Sequence, residues 1–314
     1  MVSHQKRNIL LPLYLQPNLI LKTAFIVRAL SLIGIIIGAL LLFNGALMAV
    51  AQYYDIQLTS EDDLFALLKD EKYTLAVKSI VGLNHFLTFI AAPFVFIFIF
   101  YKGKVIRYLQ LNHFPPPLLL WFPLALFFLY PLMGFLTFYI SQLELPAFMA
   151  EMDVDAMETL NSLLKMDSVG DLFINLFLIA ILPGVGEELL FRGIIQKEIT
   201  NRWHNPHLAI WVTAFIFGVF HFQIVGLLPK MMIGLVLGYA YYYSGSLILP
   251  MIMHALNNGF ATLGYFLAGN KIEEQDAVVE NIPIIPVVIS VLGFIMIMTF
   301  IHNQYSPANP EINE

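Results

Sequence analysis

The 314-residue chain is 59% hydrophobic and 12% charged, contains no cysteine, and carries a formal net charge of -6. Without cysteine there is no disulfide framework, no thiol nucleophile and no thiolate metal site, and the acidic balance argues against a nucleic-acid partner. A soluble chain would carry roughly a quarter charged residues; here the deficit is concentrated in uncharged runs long enough to cross a bilayer.

The first 23 residues are polar and basic, with no short apolar stretch ahead of a small-residue cleavage site, so no removable signal peptide is expected. Spans are expected near 24–51, 79–101, 117–140, 171–192, 208–228, 230–244, 247–268 and 282–302. The sixth is short, bounded by Pro229 and Gly245, and its Gly234 and Gly238 sit at the spacing that lets helices pack closely. The loop 141–170 is expected to hold a short amphipathic helix. The chain is thus expected to be an all-α polytopic membrane protein of about eight transmembrane helices.

Loop charge gives the orientation, because short cytoplasmic loops are rich in Lys and Arg. Lys6, Arg7 and Lys22 precede the first span, and Lys102, Lys104 and Arg107 follow the second, in both places without an acid. The stretch 52–78 instead carries Asp55, Glu61, Asp62, Asp63, Asp70 and Glu71, and the loop after the third span carries Glu144, Glu151, Asp153, Asp155 and Glu158. Lys197 and Arg202 mark the next inner loop, and Glu273, Glu274, Asp276 and Glu280 the last outer one. Both termini are therefore expected in the cytoplasm, with a loose tail from His302 onward.

Ionisable groups within spans are functional candidates, because each costs a few kcal/mol at the bilayer centre. The fourth span is expected to end in Leu182-Pro183-Gly184-Val185-Gly186-Glu187-Glu188-Leu189-Leu190-Phe191-Arg192, two adjacent carboxylates and a guanidinium in an apolar helix. Glu188 and Arg192 can pair at i, i+4, whereas Glu187 is rotated about 100° away and lacks a same-helix partner. Phe217 lies one turn before His221 on the fifth span, and His254 one turn before Asn258 on the seventh. Taken singly, each is open to a structural reading: a charge pair with Arg192 reaching the interface, or a histidine bonding helix to helix. Together they point to a shared polar cavity within the bundle. Arg28 and His85 lack companions at motif spacing and read as interfacial or packing residues. Trp121, Trp203, Trp211 and the tyrosines from Tyr239 to Tyr243 read as interfacial anchors.

Glu187-Glu188-x-x-x-Arg192, Phe217-x-x-x-His221 and His254-x-x-x-Asn258, in this order on successive hydrophobic segments, resemble the family of CAAX proteases and bacteriocin-processing enzymes, also called Abi or type II CAAX prenyl endopeptidase-like proteins. The resemblance covers roughly 175–265. Gly245-Ser246-Leu247 with Pro250 also looks like the family's approach to its third motif, while the first three spans match no signature. The resemblance implies an intramembrane endopeptidase with a water-filled cavity open toward the cytoplasm, cleaving a membrane-associated or lipidated peptide or protein near the membrane surface, in a bacterial cytoplasmic membrane. It divides the chain into an N-terminal region 1–170 with three spans, a catalytic core 171–268, and a last loop, span and tail 269–314. Carried over, Glu187 with His221 activates water, Glu188 with Arg192 shapes the site, and His254 with Asn258 stabilises the oxyanion. A zinc site on Glu187, His221 and His254 is the rival mechanism, although no His-Glu-x-x-His helix is present. The partners implied are membrane lipids and the peptide substrate. A non-catalytic scaffold or immunity protein, and a cation or proton transporter, are the competing functions.

Overall fold

The computed structural model describes residues 15–53, 73–102, 104–269 and 283–305. Lys6 and Arg7, the acids from Asp55 to Glu71, those from Glu273 to Glu280, and the tail beyond Tyr305 lie outside the described residues. Among the described residues every regular element is a helix, and the protein is an all-α polytopic membrane protein. In chain order the helices are α1 (Leu15–Tyr53), α2 (Thr74–Tyr101), α3 (Val105–Leu109), α4 (Leu118–Ser141), α5 (Ala147–Leu164), α6 (Val169–Trp203), α7 (Pro206–Val219), α8 (Leu227–Ser244), α9 (Ile248–Leu267) and α10 (Ile284–Gln304). Among the described residues five stretches are long and apolar enough to cross a membrane: Ala24–Ala49 within α1, together with α2, α4, α6 and α10. Helices α7, α8 and α9 stand where the other three spans are expected, but none of them is among these five. At 14 residues α7 is about 21 Å long, short of the roughly 30 Å hydrocarbon layer.

The outward faces are apolar, with Leu42, Phe98, Phe260 and Ile285 each more than two-thirds exposed, the arrangement that suits lipid. Two buried clusters hold the bundle. Leu118, Phe122, Met133, Val236, Leu249 and Ile297 join α4, α8, α9 and α10, while Phe96, Ile97, Leu109, Leu190 and Ile194 join α2, α3 and α6. Close approaches rest on glycine: a Cβ on Gly184 of α6 would stand 2.7 Å from the backbone nitrogen of Ala255 on α9. Gly234 and Gly238 pack as expected, against Ala214 and Ile210 of α7. Their carbonyls do more, accepting hydrogen bonds from buried Arg192 and Gln196 of α6.

Helix ends differ from the sequence expectation in three places. The fourth span does not end at Arg192; α6 runs on to Trp203, because the charges beyond Arg192 find partners inside the protein. Lys197 is buried, donating to the Tyr108 carbonyl and lying over the Tyr108 ring, so it does not mark an open loop. Glu198 pairs with Arg28 of α1 at 2.7 Å and accepts from the hydroxyls of Tyr101 and Tyr108. Burial and the Glu198 charge hold the Tyr108 hydroxyl protonated well above the usual phenol range. Arg28 is thus a tie between α1 and α6, not an isolated interfacial residue. The fifth span stops at Val219, before His221, and the chain turns through Phe222 at φ 51° into α8. His302, expected to open a loose tail, lies within α10 and bonds the Tyr243 hydroxyl at 2.9 Å. Tyr241 and Tyr243 are buried rather than interfacial.

The expected amphipathic helix is α5. Its Asp153 accepts from the Val225 backbone N–H in the turn between α7 and α8. Its C-terminal end is held by Asn175, which donates to the Leu163 carbonyl at 2.8 Å, and the adjoining Lys165 carbonyl accepts from Lys78 at 3.0 Å.

Candidate active site

The cluster begins with a proline. Pro183 has no N–H to give the carbonyl four residues back, which leaves the Ile179 carbonyl of α6 open to a further partner. Asn258 of α9 supplies one, donating its amide at 3.1 Å. Asn257 donates in turn to the Asn258 side-chain oxygen at 3.0 Å and accepts from the Tyr130 hydroxyl at 2.7 Å. This cross-link and the Gly184 contact with Ala255 fasten α6 to α9 and fix His254 beside the two glutamates. Wide π turns lie on each side, at Leu176–Ile181 and Phe191–Gln196 of α6 and at Phe86–Ala91 of α2. Such turns rotate side chains off regular helical positions and favour functional sites.

Glu188 is fully buried and accepts from Arg192 at 2.5 Å and from His254 Nδ1 at 2.8 Å. Arg192 donates also to the Gly234 carbonyl at 2.8 Å and lies 4.9 Å from the centre of the Phe217 ring. The Glu188–Arg192 pair therefore does not reach the interface; it ties α6 to α8 and α9. Glu187 faces differently. Its Oε2 is buried without a hydrogen-bond partner and lies 3.9 Å from His254 Nε2.

Two imidazole tautomers follow from these contacts. With Nδ1–H donated to Glu188, a neutral His254 presents a lone pair at Nε2. His221 donates Nδ1–H to the Phe217 carbonyl at 2.8 Å, which gives its Nε2 the same character. Phe217 stands edge-on to both rings, 4.8 Å from His221 and 5.7 Å from His254. Of the two expected histidines, His254 is the one in contact with Glu187. In that tautomer the Nε2 of a neutral His254 accepts, and it donates as imidazolium. One Asn258 amide hydrogen is likewise committed to Ile179.

The structure adds two residues that sequence reasoning passes over. His85 of α2, read there as packing, stacks on Phe89 at 4.4 Å and lies within electrostatic range of His254 and His221. Its Nε2 is buried without a partner. Lys230, in the first turn of α8, lies within electrostatic range of Glu187, His221 and Asp153 and donates to Gln223. Its signal was available: a lone lysine just inside an apolar helix. His85 had none, because its companions lie more than a hundred residues away. Among the described residues no group of three or more His, Asp or Glu side chains is placed to hold a metal ion.

The helix bundle thus holds a buried Glu188–Arg192–His254 lock with the Glu187 carboxylate beside it. Residues 169–260 match the family described as type II CAAX prenyl endopeptidase Rce1-like, the family that the motifs resemble. The match covers less than a third of the chain. A protein of Escherichia coli described as an uncharacterized 24.3 kDa protein is 33% identical over 91 residues, which are 28% of this chain and 42% of that protein. The chain thus spans under half the length of this relative. No solved structure matches the chain.

Proposed function

We propose that this protein is an intramembrane endopeptidase that hydrolyses a peptide bond in a membrane-associated or lipidated peptide or protein. The observation that carries this is Glu187: a carboxylate whose buried Oε2 has no hydrogen-bond partner and lies 3.9 Å from His254 Nε2, on a helix whose next residue is locked by Arg192. The family match over residues 169–260 supports the same reaction class.

Amide hydrolysis needs a base for the attacking water and donors for the oxyanion. Glu187 takes the water's proton as its oxygen attacks the carbonyl carbon; the C–N bond then breaks and the proton passes to the leaving amine. His254, oriented by Glu188 through Nδ1, offers Nε2 beside that proton and carries it as imidazolium. Glu188, Arg192 and the Gly234 carbonyl keep the imidazole in place. Asn258 positions α9 through Ile179. With both termini in the cytoplasm, as the loop charges lead one to expect, the turn at Phe220–Gly226 falls on the outer side with α5, opposite to the cytoplasmic opening that the resemblance implies.

Purified protein in liposomes, given a quenched-fluorescence library of peptides bearing a lipidated cysteine, tests this reading. Glu187→Gln and His254→Asn are expected to lower cleavage by about 10²–10⁴-fold while the proteins stay folded. Normal cleavage by both variants contradicts the proposal. Activity that is lost on chelation and returns with zinc replaces the glutamate-activated water by the metal mechanism.

A further inference from the structure

A carboxylate that is to meet water and a peptide has to be reached. Glu187 Oε2 is enclosed and the His254 ring is buried, so admitting a substrate requires part of the surroundings to move. On the side of α5 the site is bordered by the turn 220–226. Its first residue, Phe220, stands edge-on to Phe191 at 5.8 Å, one turn beyond Glu187 on α6, and to Phe89 of α2 at 5.9 Å. His221 follows directly.

Two features set this turn apart. The first is strain. Among the described residues Lys102, Gln110 and His204 have positive φ because each closes a helix, where left-handed geometry is ordinary. Phe222, at φ 51°, comes three residues after α7 ends and closes none. A bulky side chain in that region costs backbone energy that a rearranged turn releases. Its ring is exposed, so burial of the side chain does not repay the cost. The second feature is how the turn is held. Asp153 of α5 accepts from the Val225 N–H through both carboxylate oxygens, at 3.4 and 3.3 Å. These bonds are long, and of the residues of α5 only Leu164 is buried, which marks a contact of low local stability. The firm attachments of α5 lie at its other end, where the Leu163 and Lys165 carbonyls take Asn175 and Lys78.

We propose that the turn 220–226 is the gate of the site, strained at Phe222 and latched shut by Asp153, and that it opens by lifting Phe220 from Phe191 to admit a peptide on the side of α5. The latch comes from α5, outside the 169–260 match. This inference rests on the protease reading, while the motion itself is measured without substrate.

Because the chain has no cysteine, the double variant Asp153→Cys/Val225→Cys of the full-length protein can be tied with a short, reducible bifunctional thiol reagent. The tie is expected to form, to lower cleavage of the lipidated-peptide library by at least about tenfold, and to release that activity on reduction. Each single-cysteine variant given the same reagent keeps its cleavage. Hydrogen exchange reads the gate directly at the amides of Phe220, His221 and Phe222, which bond the carbonyls of Ile216, Gly218 and Val219. Exchange there is expected to be at least about fivefold faster in Asp153→Ala, and slower by a similar factor in Phe222→Asn, since asparagine tolerates left-handed geometry. A tied protein that cleaves within about twofold of its reduced form, failure of the pair to tie, or unchanged exchange in both variants each overturns the gate. If wild type cleaves and the tied protein cleaves equally, only the gate fails. If exchange shifts in the two expected directions and wild type cleaves no library member, the moving turn stands and the protease reading fails.

Discussion

Glu187 and Glu188 are neighbours in the chain with opposite surroundings. Glu188 is fully buried between Arg192 and His254, so removing its charge leaves a guanidinium uncompensated in the bundle. Glu188→Gln or Arg192→Met is expected to destabilise the protein by about 3–5 kcal/mol in unfolding measured in mixed micelles. Glu187→Gln breaks no hydrogen bond at Oε2 and is expected to leave the unfolding midpoint within about 1 kcal/mol of wild type, while cleavage is lost. Equal destabilisation by both substitutions would make Glu187 a structural acid. The six motif residues were legible because charge inside an apolar run is conspicuous and because Glu188 and Arg192 sit one helical turn apart. What His254 does was not legible, since the Glu188 contact that sets its tautomer links residues 66 apart. His85 was passed over for the same reason.

At the scale of elements, the site depends on how closely α6 meets α9. Gly184→Ala would drive a methyl group into the backbone of Ala255, the residue after His254, where no side chain can move aside. It is expected to cost about 1–3 kcal/mol in stability and to reduce cleavage, by shifting His254 away from Glu187. Gly264→Ala, further along α9, meets nothing within 4 Å; it is expected to be neutral or stabilising by up to about 1 kcal/mol, through helix propensity. Unfolding midpoints and cleavage rates for the two variants check this contrast. The helices themselves were readable as apolar runs, but several of their ends were not. α6 outruns its expected end because Lys197 and Glu198 have partners on α1, α2 and α3, which sequence spacing does not disclose. α7 stops early although no glycine or proline follows Val219 until Gly226, and the left-handed turn falls on Phe222.

For the whole molecule, eight helical segments in the expected order carry an orientation that can be measured directly, because the chain has no cysteine. Single cysteines at Glu144 and at Lys104 are expected to behave oppositely toward a membrane-impermeant thiol reagent in intact cells. Glu144→Cys is labelled from outside, whereas Lys104→Cys is labelled only after permeabilisation. The reverse pattern would invert the bundle. Contacts also cross the expected division at residue 171. His85 and Phe89 of α2 close on Gly186, and Arg28 of α1 closes on Glu198, so the N-terminal helices complete the surroundings of the recognised segment.

The central claim, that Glu187 activates water to cut a membrane peptide, is tested most directly by mass spectrometry of membrane peptides from cells carrying the wild type or Glu187→Gln at equal abundance. The account predicts new peptide termini with the wild type that vanish with the variant. Identical sets of termini in both would contradict it.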